Sequence, residues 1–325
     1  MRILVTGGAG YVGSVLVPML IDQGYSVRVL DSGMFGTDHV HPESELITGD
    51  ILEFDNDWLA DVDSVIHLAG LSNDPMAAFS PRLNYLLNAA GPAIVAQAAK
   101  EAGINRFVFA STCSVYGLID SFAVGEDDEA RPSYPYGISK LMAESALTCL
   151  TDDDFRPIIL RKGTVVGWSP RMRFDLVTNT MIKTALTQKK ITVHNPTLWR
   201  PLLNVVDASR AYMKALEADL SVTGIFNVAN ENYMIGQLAD IVVTTLREFE
   251  VDVPLKVEDR PLDRSYRVSM EKASQVLDFQ PTVSMEETVR EIMGRVLSGE
   301  IVDLEDPRYY NIDQMKINMA EGRVV

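Results

Sequence analysis

The sequence predicts an α/β fold, a Rossmann-type doubly wound parallel sheet with a smaller C-terminal portion. Three observations predict it. Short β-branched apolar runs alternate with helical patterns through the first half of the chain. A glycine-rich turn lies between the first such run and the first helical pattern. The alternation loosens after about Gly163, where Pro196, Trp199 and Pro201 fall among loops. Alternating strands and helices imply right-handed βαβ units around a parallel sheet.

The elements follow in order. "RILVT" (2–6) reads as a buried strand, and "VGSVLVPMLIDQG" as a helix ending near Gly24. "SVRVLD", "SELITGD" and "SVIHLAG" supply the next three strands. The alanine-rich "AIVAQAAKEAG" is a helix and "RFVFAS" the fifth strand. "PYGISKLMAESALTCL" is a helix and "RPIILR" the sixth strand. "LLNVV" reads as a short strand, "DASRAYMKALEA" (207–218) as a helix and "GIFNVAN" (224–230) as one more sheet strand. Two tail helices are expected near 236–249 and 284–298. The division expected is a nucleotide-binding domain over 1–165 and a mainly substrate-binding portion over 166–325. Helix 207–218 and strand 224–230 are expected to return to the first domain.

Composition narrows the function classes. The 325 residues are 47% hydrophobic and 23% charged, with a net charge of −16 and a pI of about 4.7. So acidic a chain disfavours nucleic acid and anionic membranes as partners. No apolar run approaches spanning length, and the first residues read as a strand entering a glycine loop rather than a leader. Two cysteines, Cys113 and Cys149, suit a reducing compartment. A cytoplasmic location is the expectation, and no metal is expected.

"VTGGAGYVG" sets Gly7, Gly10 and Gly13 between strand and helix. Such glycines let backbone approach a pyrophosphate, which then meets the positive end of a helix. Asp31 ends the second strand, where a carboxylate can bond a ribose 2′-hydroxyl and repel a 2′-phosphate. No Arg or Lys lies between Arg28 and Arg82. The pattern therefore favours NAD over NADP. "GDI" (49–51) places Asp50 and Ile51 toward the adenine. In "HLAG" (67–70), Gly70 lets the cofactor approach, flanked by Leu68 and Ala69, and His67 reads as a packed strand-end residue.

Tyr136 and Lys140 stand four residues apart at a helix start, hence on one face. An ammonium beside a phenol favours the phenolate, which can take a proton from an alcohol as hydride leaves the adjacent carbon. Tyr134 lacks a lysine four residues on.

With these residues in place, the chain resembles the extended short-chain dehydrogenase/reductase family, in its NAD-dependent nucleotide-sugar epimerase/dehydratase group. The resemblance rests on "TGGAGYVG" (6–13, including Tyr11 and Val12), Asp31, "GDI", "HLAG", Asn88, "STCSVYG" (111–117), "YGISK" (136–140) and "WRPLLNVVD" (199–207). It implies bound NAD, a catalytic Thr112, Tyr136 and Lys140, a nucleotide-diphosphate sugar as substrate, and a homodimer. Asn88 would serve the cofactor. Thr112 would bond the oxygen that Tyr136 deprotonates. Where 4,6-dehydratases of this kind carry Asp-Glu, this chain has Cys113-Ser114, which argues against water elimination; both are expected beside the substrate. A strand-end cysteine without a nearby histidine is most simply a small filler rather than a nucleophile.

Arg200 and Arg260 resemble the arginines that clasp a nucleotide diphosphate, a task suited to the guanidinium fork. "SPRMRFD" adds Arg171 and Arg173, with Arg173 the substrate candidate. Ser72 in "SNDP" is expected at the sugar. Thr164 stands where the family often has Asn, and "NAAGP" replaces the usual Asn-Val-x-Gly-Thr while keeping Asn88 and Gly91. The leading expectation is epimerisation at C4 through a 4-keto sugar. A one-way 4-dehydrogenase or 4-ketoreductase uses the same residues, and a non-catalytic NAD sensor is disfavoured by retention of Thr112, Tyr136 and Lys140.

Overall fold

A computed structural model describes residues 1–258 and 265–322. Its centre is a seven-stranded sheet. The strands are β1 (Arg2–Thr6), β2 (Ser26–Asp31), β3 (Glu45–Thr48), β4 (Ser64–His67), β5 (Arg106–Thr112), β6 (Ile158–Lys162) and β7 (Gly224–Val228). They lie in the order β3-β2-β1-β4-β5-β6-β7, and every pairing is parallel. The order reverses between β1 and β4, so a crevice opens at the strands' C-terminal ends.

Alternation along each strand builds two cores. Ile3, Val5, Val29, Val108, Ala110 and Leu160 face one side with Leu16, Leu20 and Tyr212. Leu4, Leu30, Phe107, Phe109 and Ile159 face the other with Val95, Ala96, Ala143 and Leu147. Both faces are covered, which is why these strands are continuously apolar in sequence. The covering helices are α1 (Gly13–Asp22), α2 (Gly91–Glu101), α3 (Pro135–Leu150) and, beyond α4 (Val177–Gln188), α5 (Val205–Glu217).

A third apolar cluster joins Met172, Phe174, Ile182, Leu238, Val242, Val289 and Ile292. It ties α4 to α6 (Ile235–Leu246) and α7 (Met285–Leu297). Ser284 and Glu287 form a reciprocal capping box that starts α7. Helix α4 escaped the sequence reading, and its Leu176 cap offers no side-chain bond. The strand expected at "LLNVV" instead covers Trp199–Asn204. Asn204 turns the chain there, its carboxamide oxygen accepting from Val206 N at 2.8 Å to open α5.

A last helix, α8 (Asn311–Ala320), also unforeseen, returns to the sheet domain. Met315 packs with Leu71 and Met76. Asn311 donates to Ser72 Oγ at 3.2 Å and Asn318 to Met34 O at 2.6 Å. No helix among the described residues is long and apolar enough to cross a membrane.

Candidate active site

A cleft of about 1450 Å³ runs along the C-terminal ends of β1, β2, β4, β5 and β6. Its first end is the glycine loop. Gly7 has φ +71°, and a Cβ there would stand 2.6 Å from Ala69 N. A Cβ on Gly13 would meet Gly8 O at 2.5 Å. These two glycines are required by the close approach of β1, β4 and α1. The loop tightens through Gly10 N to Gly7 O at 3.0 Å and Ser14 N to Gly10 O at 2.9 Å.

Asp31 closes β2 beside this loop. Its carboxylate accepts from Ala9 N and Gly33 N, each at 3.0 Å. Burial raises its pKa, against the pull of the two amide bonds. Each oxygen keeps a lone pair for a further donor. Asp50 lines the next stretch and caps its own turn, accepting from Leu52 N at 2.9 Å. Gly7, Gly10, Tyr11, Val12, Gly13, Asp31, Asp50, Ile51, Leu68, Ala69 and Gly70 all line the cleft. A cradle closed to any Cβ, a helix start and a carboxylate at the second strand's end fit a dinucleotide.

Tyr136 and Lys140 rise from the first turns of α3. Asn84 holds this helix start, donating to Pro135 O at 3.1 Å and accepting from Ser139 Oγ at 3.2 Å. Gly137 lets α3 abut the Thr112–Tyr116 turn, since a Cβ there would lie 2.8 Å from Ser114 O. Thr112, Ser114, Tyr136 and Lys140 thereby line one wall. Thr112 Oγ1 accepts from Ser114 N at 3.1 Å, which leaves its proton for an oxygen in the cleft. The Lys140 ammonium lies 5.0 Å from the Phe109 ring centroid. Burial and then Lys162 lower its pKa to about 7, while Glu144 opposes the shift.

One expectation needs correction. Cys113 is fully buried and points away from the cleft, its thiol donating to Arg161 O at 3.0 Å. The chain leaves β5 at Thr112 and enters a tight turn at Cys113, so Thr112 reaches the cleft and Cys113 does not. Asn88 is fully buried; its amide nitrogen donates to Leu71 O and Asn84 Oδ1, each at 2.8 Å, and its Oδ1 lies beside Gly70 with no hydrogen-bond partner among the described residues. It supports the backbone that lines the cleft without lining it itself.

Ser72, Thr164, Arg171, Arg173 and Arg200 also line the cleft, with Arg171 close enough to Asp31 to lower its pKa. Arg173 grips Asp175 with two bonds of 2.8 Å and donates to Ser72 Oγ at 2.6 Å. Arg171 donates to Asn311 Oδ1 at 2.7 Å and lies 4.6 Å from the Phe35 ring. The Arg200 guanidinium stands 5.9 Å from the Tyr266 ring. Arg260 lies outside the described residues. His67 sits behind the floor, fully buried between Phe107 and Phe109, with Nδ1 2.9 Å from Thr6 Oγ1. Burial, then Lys140, lowers its pKa to about 3, so it stays neutral.

Sequence reasoning missed Lys162, which ends β6 in register with Thr112 and lines the cleft. A charged residue closing an apolar strand was the available signal.

Residues 3–229 match the NAD-dependent epimerase/dehydratase family. The chain belongs to that family. A UDP-glucose 4-epimerase of Bacillus subtilis is 31% identical over 254 residues, covering 69% of this chain and 75% of its own. A UDP-glucose 4-epimerase of Azospirillum brasilense is 37% identical over 178 residues. That match spans 53% of this chain and about half, 51%, of the relative. The UDP-glucuronic acid 4-epimerase of Bacillus cereus, solved with UDP-glucuronic acid and NAD, superposes with a TM-score of 0.81 at 26% identity. The superposition covers 92% of this chain and 99% of that one. The family places the chain among NAD-dependent enzymes of the short-chain dehydrogenase type.

Proposed function

We propose that this member of the family is a nucleotide-sugar epimerase that inverts C4 through a transient 4-keto sugar. The observation that carries this reading is the common wall of Thr112, Tyr136 and Lys140 in a cleft that also contains the glycine loop and Asp31. NAD, when bound, would supply the hydride acceptor and donor for C4. Asp31 would hold the adenosine ribose and the loop from Gly7 to Gly13 the pyrophosphate. Tyr136, as phenolate, takes the C4 hydroxyl proton and later gives it back. The Lys140 ammonium stabilises that phenolate. Thr112 donates its hydroxyl proton to the same substrate oxygen and fixes its direction. Arg173 and Arg200 bring positive charge to the cleft that suits a nucleotide diphosphate. Ser72, Ser114 and Thr164 are the proposed polar contacts of the sugar and its phosphates.

Cys113 and Ser114, in place of a carboxylate pair after Thr112, support epimerisation over dehydration. The relatives named UDP-glucose 4-epimerase and the bound UDP-sugar of the Bacillus cereus structure support a UDP-linked substrate. We place the reaction in the cytoplasm, in carbohydrate biosynthesis, and infer a homodimer. Exposed Ile94 on α2 and Met142 on α3 support self-association. Incubation with UDP-sugars and no added cofactor, followed by NMR, tests the reading. A C4 epimer without net NADH supports it. Stoichiometric NADH would instead assign a one-way 4-dehydrogenase.

A further inference from the structure

The nucleotide-sugar reading leaves the sugar open, and Lys162 bears on that choice. Lys162 and Thr112 are register partners at the ends of β6 and β5. Neighbouring strands lie about 4.8 Å apart. The lysine side chain therefore starts beside the hydroxyl assigned to the oxygen on C4. Lys162 lines the cleft, with its ammonium 5.3 Å from the Tyr212 ring centroid. Among the described residues, no protein oxygen accepts a hydrogen bond from it.

The charges around it do not balance. Lys140 is near enough for the Lys162 charge to press its pKa down. Glu144, one turn beyond Lys140, is committed to Arg161 and Ser111. On the α5 side, Asp207 is committed to Arg210, Thr282 and Val283. Tyr212 OH beneath the lysine is buried and has no partner. Burial pushes Lys162 itself down to about 8, so it is still largely charged at neutral pH. Two buried amines without a carboxylate of their own are stabilised by an anion from the bound molecule. In a hexuronate the carboxylate hangs on C5, next to the reacting C4.

We propose that Lys162 is a specificity-determining residue that pairs with the carboxylate of a nucleotide-linked hexuronate. The proposal rests on the nucleotide-sugar reading above. Titration calorimetry on the NAD-loaded protein compares UDP, UDP-glucose and UDP-glucuronate. UDP-glucuronate binds at least about 10-fold more tightly than UDP-glucose, as expected for a charge-assisted hydrogen bond. Lys162→Met removes that preference and Lys162→Arg retains most of it, with UDP affinity as the folding control. Equal affinities in the unsubstituted protein, or a preference that survives in Lys162→Met, would overturn the proposal. So would loss of bound NAD from Lys162→Met with the preference intact, which would assign the lysine to the cofactor. Failure of all three UDP ligands to bind would instead overturn the UDP-sugar reading, and this proposal with it.

Discussion

Glu144 and Arg161 form a buried ion pair directly behind the proposed catalytic wall, with Arg161 Nη2 2.7 Å from Glu144 Oε2 and Nε within 3.2 Å of both oxygens. Their side chains are 3% and 4% exposed. Ser111 also donates to Glu144, and Arg161 donates to Tyr116 OH at 2.9 Å. One carboxylate thus ties α3, one turn after Lys140, to β5 and β6. The strands that end in Thr112 and Lys162 are fixed to the helix that bears Tyr136.

Glu144→Ala should strand the Arg161 charge in the core. Removing one partner of a buried pair costs about 3–5 kcal/mol. The urea midpoint of unfolding measures this. A midpoint unchanged from the unsubstituted protein would show that Arg161 finds another partner.

Tyr136→Phe should lower turnover by about 10²–10⁴-fold, the range for loss of a positioned acid–base group. Its NAD content should stay as it was, since Phe keeps the ring. Thr112→Ser should retain most activity, while Thr112→Val should not. Steady-state rates alongside NAD released on denaturation separate chemistry from binding.

Lys140 and Lys162 have pKa values lowered from 10.5 to about 7 and about 8. Between those values and 10.5 the unfolded chain binds more protons than the folded one. Stability contributed by these two amines therefore rises with pH across that window. Below about 7 both are charged when folded, and the desolvation penalty is fully present. Lys162→Met should flatten the rise in urea midpoint between pH 7.5 and 9.5 relative to the unsubstituted protein. The same slope in both proteins would refute the shift at Lys162.

Asp31→Ala removes a carboxylate that faces the cofactor end of the cleft. Affinity for NAD should fall by about 10- to 100-fold, the cost of charge-assisted hydrogen bonds. The preference for NAD over NADP should narrow at the same time. Fluorescence titration with both cofactors reads the two effects together.

The two thiols should behave differently toward a thiol reagent. Cys149 is exposed and Cys113 is buried. Burial also raises the Cys113 pKa. One thiol per chain should react in the native protein and the second only in denaturant. Two fast thiols would place Cys113 at the surface.

Local signals made most of the frame readable. The apolar runs of β1, β2, β5 and β6 are buried on both faces, so each stands out without regard to its neighbours. The glycine loop and the Tyr136–Lys140 spacing are likewise local. What escaped depends on distant contacts. Cys113 turns inward in the tight turn after β5, where its thiol meets Arg161 O on β6, a contact its sequence neighbours do not show. That the Asn88 amide nitrogen is held by Asn84 and Leu71 O, with its oxygen beside Gly70, shows only in the fold. Helix α8 reaches Ser72 across 239 residues of sequence. Lys162 resembles a strand-end surface charge until β6 is set beside β5.

In the proposed mechanism, hydride leaves C4 and returns to the same carbon without leaving the cleft. A UDP-hexose or UDP-hexuronate deuterated at C4 tests it most directly, with the product read by NMR and mass spectrometry. The expected product is a C4 epimer that keeps its deuterium at C4. Deuterium lost to water, or carried away on released NADH, would contradict it.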